Sequence, residues 1–166
     1  MPDTWVVNAS PLISLAKIGR LDLLRAEGRD VLIPAAVEEE ILAGPRDDAA
    51  SIALTARAFA EPVVSAQRVE VLEWGLGAGE TAVLSLALDR GATATAVIDD
   101  REARAAARVL GVRLIGTLGV VIRARRDNRI PAAASVIADL RRVGLHLDDA
   151  LLRQALREFV GEEWKP

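Results

Sequence analysis

Short β-branched apolar runs alternate along this chain with longer stretches of helical period, and that alternation restricts the fold to an α/β domain with a largely parallel sheet. Trp5-Val6-Val7 reads as the first strand, Val31-Leu32-Ile33 as the second, Ala96-Val97-Ile98 as the third and Val112 to Ile115 as the fourth. Helix punctuation lies between them. Ser10 caps a helix with Pro11 at its first position, where a missing N–H costs nothing. Leu12, Leu15 and Ala16 form its apolar face, Gly19 interrupts it, and Leu21 to Leu24 add another turn. Pro34 opens a helix with Val37 and Ile41 on one face, which Gly44-Pro45 stops. Residues 47–59 are alanine-rich and read as helical; Val63-Val64 and Val69 to Leu72 are weaker strand candidates. Gly75, Gly77 and Gly79 form a connection ahead of a strong helix over 80–89, whose Val83, Leu84, Ala87 and Leu88 face inward. A helix follows Asp99-Asp100 and reaches Leu110, Thr117 caps another that reaches about Arg126, and helices over roughly 131–143 and 148–160 finish the chain.

With 166 residues the chain has the length of one domain of ordinary size, and no internal repeat or low-complexity linker divides it. A single domain over 1–166 is expected, with its core at about 4–126 and its C-terminal helices at about 131–160. Cysteine is absent, histidine is represented by His146 alone, and there is no tyrosine. Thiolate zinc sites, cysteine nucleophiles and two-histidine sites are thereby excluded, so acid-base chemistry falls mainly to carboxylates. The net charge of −3 argues against a strongly basic nucleic-acid binder, so a polyanion would have to meet a local patch. Charged residues break every apolar window before the ~18 residues of a membrane span. Met1-Pro2-Asp3-Thr4 lacks the basic start of a signal peptide, and a cytoplasmic location is expected.

In open α/β sheets, ligands bind beyond the carboxyl ends of the strands. The polar residues at those ends are Asn8 after the first strand and Asp99-Asp100 after the third. Glu80 lies in the first turn of its helix, three and four residues before the inward Val83 and Leu84, so its side chain leans toward the core side. Glu40 sits between Val37 and Ile41 at the margin of an apolar face. Four acids and an amide can thus converge at one edge of the sheet. Hard oxygen donors of this kind suit magnesium or manganese, and an ion held by them can activate water and clamp a phosphate for phosphodiester hydrolysis. Each residue also has a structural reading. Asp99 serves as an N-cap, Asp100 and Glu80 as favourable first-turn charges, Glu38-Glu39-Glu40 as a solvated face, and Asn8 as a turn residue.

Gly75-x-Gly77-x-Gly79 has neither the spacing of the dinucleotide fingerprint nor a following Lys-Ser/Thr, and it reads as a connection rather than a phosphate cradle. Ser10, Ser14 and His146 form no nucleophile elbow, and Asp148-Asp149 reads as a helix start. Arg101, Arg104 and Arg108 recur at helical spacing just after the acids, while Arg123, Arg125, Arg126 and Arg129 cluster in the next helix and its exit. Such a stripe of arginines could hold the phosphates of a single strand, or simply form solvated helix faces balanced by Glu102 and Asp127. Phe and Trp total five, so stacking platforms for bases are scarce.

A family resemblance rests on five ordered segments: Val6-Val7-Asn8-Ala9-Ser10-Pro11-Leu12-Ile13 with Leu15 to Leu24; Ile33-Pro34-Ala35-Ala36-Val37 with Glu40-Ile41; Gly77-Ala78-Gly79-Glu80-Thr81-Ala82; Ile98-Asp99-Asp100-Arg101 with Ala103-Arg104; and Ile115-Gly116-Thr117-Leu118-Gly119-Val120. Over about residues 4–162 the chain resembles a PIN-like subfamily related to VapC-type toxin ribonucleases. The resemblance implies a three-layer α/β/α Rossmann-like fold with a central, mostly parallel sheet, here with extra C-terminal helices. It also implies magnesium- or manganese-dependent endoribonuclease chemistry on RNA, homodimers, and a small cognate antitoxin protein as partner. By position it places the family's acids on Asn8, Glu40, Glu80 and either Asp99 or Asp100. Glu40, Glu80, Asp99 and Asp100 then become the catalytic residues, Asn8, Glu80, Asp99 and Asp100 the metal ligands, and Arg101, Arg104 and Arg108 the nucleic-acid contacts. Asn8 departs from the family pattern, because an amide offers an oxygen ligand without charge and cannot act as a base. A catalytically weak or inactive module that binds nucleic acid or protein is the alternative this departure raises.

Overall fold

A computed structural model of the chain describes residues 3–166; Met1 and Pro2, where the expected domain begins, lie outside the described residues. Four short strands, β1 (Asp3–Val7), β2 (Arg29–Leu32), β3 (Ala94–Val97) and β4 (Arg113–Ile115), pair in parallel in the order β2-β1-β3-β4. The helices are α1 (Ala9–Lys17), α2 (Ala35–Leu42), α3 (Ala49–Thr55), α4 (Val69–Leu72), α5 (Ala78–Arg90), α6 (Arg101–Val109), α7 (Thr117–Arg126), α8 (Ala133–Arg142) and α9 (Asp149–Val160). Short 3₁₀ turns over Leu21–Leu24 and Gly91–Thr93 lead into β2 and β3. Helices cover the sheet in the three-layer α/β/α arrangement of a doubly wound fold.

Burial explains why the two central strands carry no polar alternation. Trp5, Val6 and Val7 of β1 and all four residues of β3 are buried, as expected for parallel strands covered on both faces. Leu12, Leu15, Leu84, Ile98, Leu140 and Leu152 are among the side chains fully enclosed around them. α8 and α9 join this same core through Ile137, Leu140, Leu152 and Leu156.

Several boundaries differ from the sequence reading for identifiable reasons. β2 begins at Arg29, two residues before its apolar run, because Arg29 and Asp30 pair with Asp3 and Thr4 of β1. The Arg29 guanidinium lies 3.5 Å over the Trp5 ring and bonds Asp3 Oδ2 at 3.2 Å, which lets a charged residue start a covered strand. Val69 to Leu72 is not a strand but the single helical turn α4, with Val71 buried and the Arg68 amide bonded to Ser85 Oγ at 3.0 Å. Val63 makes one isolated bridge to Pro34, and Val64 is 86% exposed. Pro34 has no N–H and Ala35 already starts α2, so the ladder cannot extend. Ser10 does not cap α1: Asn8 holds that position with an extended backbone, and the helix begins at Ala9. Thr117 does not cap α7 either, since Gly116 precedes it in the N-cap position.

The chain passes from β1 to β2 on one side and then crosses to β3 on the other. The switch point therefore falls between the carboxyl ends of β1 and β3, where the crevice of an open α/β sheet forms.

Candidate functional site

Asn8 leaves β1 at that crevice. Its amide N–H bonds Val97 O at 3.1 Å, which ties the start of α1 to the end of β3. Its side chain is 2% exposed and does not cap its own helix. Instead Nδ2 donates to Glu80 Oε1 at 3.1 Å, and Oδ1 is buried with no partner among the described residues. A buried carbonyl oxygen left unpaired costs about 1–3 kcal/mol, so its retention calls for an explanation.

Glu80 sits in the first turn of α5, half-buried, as its spacing from Val83 and Leu84 predicts. Glu40 arrives from α2. A Cβ placed on Gly79 would stand 2.6 Å from Glu40 Oε2 and 3.2 Å from Asn8 Oδ1, so the absent side chain is what lets both oxygens approach this point of α5. A Cβ on Gly77 would likewise stand 2.5 Å from Glu80 Oε2. The two glycines are thus clearance for the acids, beyond the connection their sequence suggests. Burial, and then the charge of Glu80, push the Glu40 carboxyl above its usual range.

The two aspartates after β3 have different positions. Asp100 is exposed, caps α6 and accepts from the Ala103 amide at 2.8 Å. Asp99 turns inward: Oδ1 accepts from the Thr117 amide at 2.7 Å, and Oδ2 accepts from Thr117 Oγ1 at 2.6 Å and Ser10 Oγ at 3.4 Å. Asp99 therefore serves as the anionic cap of α7, reaching it from a neighbouring strand. Sequence spacing leaves the two aspartates equivalent; the geometry brings Asp99 toward Asn8 through Ser10 and directs Asp100 onto its own helix. By residue type and place Thr117 and Ser10 would cap their own helices, but both hydroxyls bond Asp99 instead.

The arginines also separate. Arg101 and Arg108 are exposed on α6. Arg104 is half-buried, donates from Nη1 to Ile98 O at 2.9 Å, and would lie 3.0 Å from a Cβ on Gly116, which would in turn be 2.8 Å from Asp99 Oδ1. Burial and the neighbouring Arg108 lower its pKa, while Asp99 works in the opposite sense. Arg104 thus buttresses the end of β3 beside Asp99 instead of standing free in the stripe.

Among the described residues no three acidic side chains stand close enough to form a ready-made metal cage. The donors nonetheless suit a hard cation in kind: a buried amide oxygen without a partner among the described residues, the Glu40 carboxylate near it over Gly79, the Glu80 carboxylate bonded to the same amide through Nδ2, and a third carboxylate oriented by a helix N-terminus. Asp100, engaged by its own cap, fits this set least.

The family model of a PIN domain matches residues 4–161 of the chain. No curated protein and no solved structure matches it. No helix among the described residues is long and apolar enough to cross a membrane.

Proposed function

The chain belongs to the PIN-domain family, whose fold is nuclease-like, and from that premise we propose that it is a divalent-metal-dependent endoribonuclease acting on RNA at the carboxyl ends of β1 and β3. The observation that carries this reading is Asn8 Oδ1, buried without a partner among the described residues, on an amide whose Nδ2 holds Glu80 and beside the Gly79 position that Glu40 also approaches. Such an oxygen is a ligand position for a hard cation. Asn8 through Oδ1, Glu40, Glu80 and Asp99 would hold magnesium or manganese. The bound ion supplies positive charge to the scissile phosphate and makes a nearby water more acidic.

The remaining work belongs to the chain's own side chains. Asn8 Nδ2 holds Glu80 in one orientation, which fixes where its free oxygen faces. Thr117 and Ser10 do the same for Asp99. Arg104 braces the β3 end, and the exposed Arg101 and Arg108 beyond it draw the phosphates of the strand toward the acids. The same reading makes the chain one PIN-like domain and a cytoplasmic toxin of the VapC-type kind, homodimeric and neutralised by a small antitoxin protein.

A catalytically silent module that binds RNA or protein is the second reading. Asn8 in place of an acid and the capping role of Asp99 favour it. Cleavage of end-labelled RNA with manganese separates the two. The nuclease reading expects metal-dependent cleavage that falls at least about 100-fold in Glu80→Gln with the fold retained. Cleavage equal in both proteins, or absent with either metal, would overturn it.

A further inference from the structure

The second buried polar atom without a partner among the described residues is Thr95 Oγ1, at the opposite end of the sheet. Parallel register sets Trp5 of β1, Thr95 of β3 and Arg113 of β4 in one transverse row on one face. α7 crosses that face without closing over the row, and a cleft of about 850 Å³ remains between them. Trp5 and Thr95 lie at its floor, Arg113, Arg123 and Arg126 line it, and Phe159 of α9 stands at the rim, 53% exposed. That size falls within the range of small-molecule sites, which combine apolar walls with a few placed polar groups.

The charge of the cleft is opposite to that of the chain. Three guanidiniums line it against one carboxylate, Asp3, which pairs with Arg29 at 3.2 Å and approaches Arg113 at 4.0 Å; Arg123 pairs with Asp127 at 3.3 Å, and the positive charge still exceeds the negative there. The surplus matches a phosphomonoester, which carries about 1.5–2 negative charges near neutral pH. Arginine forks suit its oxygens, and the Thr95 hydroxyl, 4% exposed, is a donor with no other group to serve. Beside the arginines, Leu114, Ile122 and Phe159 offer an apolar and aromatic wall suited to a flat ring.

We propose that this cleft binds a nucleoside monophosphate, its phosphate on Arg113, Arg123 and Arg126 with Thr95 and its base against Phe159, at a site separate from the acids at the other end of the strands. Calorimetric titration with AMP tests it, with inorganic phosphate and adenosine titrated separately to distinguish the parts of the ligand. Arg126→Ala alters an exposed residue, and Thr95→Val removes a hydroxyl without a partner among the described residues, so both variants should fold. The expected result is saturable AMP binding, weakened about tenfold in Arg126→Ala and several-fold in Thr95→Val, and unchanged in Glu80→Gln. Phosphate and adenosine alone should each bind at least about tenfold more weakly than AMP. No AMP binding at millimolar concentration, equal affinity in wild type and Arg126→Ala, or phosphate or adenosine binding as tightly as AMP would each overturn the proposal.

Discussion

Asn8 shows how one residue can begin a helix with its backbone and leave it with its side chain. Its Nδ2 bonds Glu80 while its oxygen is buried with no partner among the described residues. Replacing the amide by a carboxylate puts two anionic oxygens across the 3.1 Å now bridged by Nδ2. Repulsion at that separation in a half-buried site costs about 1–3 kcal/mol, or roughly 2–10 °C in Tm for a chain of this size. Asn8→Asp should therefore melt below wild type in EDTA and gain more from millimolar manganese than wild type does. Thermal melts in the two buffers check this. Equal melting in EDTA would show that Glu80 does not stay beside residue 8.

At the scale of elements, helix termini are satisfied by groups from elsewhere in the chain. Asp99 caps α7 from the end of β3, and Glu162 caps α8 from beyond α9. Gly161 makes the second possible: at φ 68° it takes the left-handed position that ends α9, and the Glu162 amide closes onto Leu156 O at 3.1 Å. The Glu162 carboxylate then accepts from the Ala133 and Ala134 amides at 3.0 and 2.8 Å and pairs with Arg125 at 2.9 Å. Burial works to raise the Glu162 pKa, but the two amides and Arg125 outweigh it, and the carboxyl lies below its usual range. A depressed acid stabilises the fold above its unfolded pKa, and that contribution is lost as pH falls through the folded value. Glu162→Ala should thus cost about 1–2 kcal/mol near pH 7, with the gap to wild type closing below about pH 5. Urea unfolding at several pH values measures it; a gap that persists unchanged at pH 3 would assign the loss to packing instead.

These borrowed caps also explain what local spacing could not show. Ser10 and Thr117 have the right residue type and place to cap their own helices, yet both hydroxyls bond Asp99. Asp99 and Asp100 differ only in what lies 18 residues later or three residues later, and only the nearer partner is legible in sequence. α4 is likewise set by tertiary contacts: Val69 to Leu72 has strand-like composition, but Val71 packs into the core and the Arg68 amide before the turn bonds Ser85 of α5.

Across the whole molecule, the alternating apolar runs give a parallel sheet, and in the observed order β2-β1-β3-β4 the switch point falls where Asn8 leaves β1 and Asp99 follows β3. The acids were legible because strand ends and first turns are marked by punctuation. The clearance at Gly79 and the brace at Arg104 were not, since each depends on how two elements pack. The cleft over Thr95 depends on register across three strands and has no local signature. Among the described residues each end of the sheet thus holds one buried oxygen without a partner, with carboxylates near one and arginines near the other.

Calorimetric titration of manganese into wild type and Glu80→Gln tests the proposed cation site at the carboxyl ends of β1 and β3. Saturable binding at one site is expected in wild type, weakened at least about tenfold in Glu80→Gln while the melting curve keeps its cooperativity. Absence of binding by wild type at millimolar manganese, or equal binding by both proteins, would contradict it.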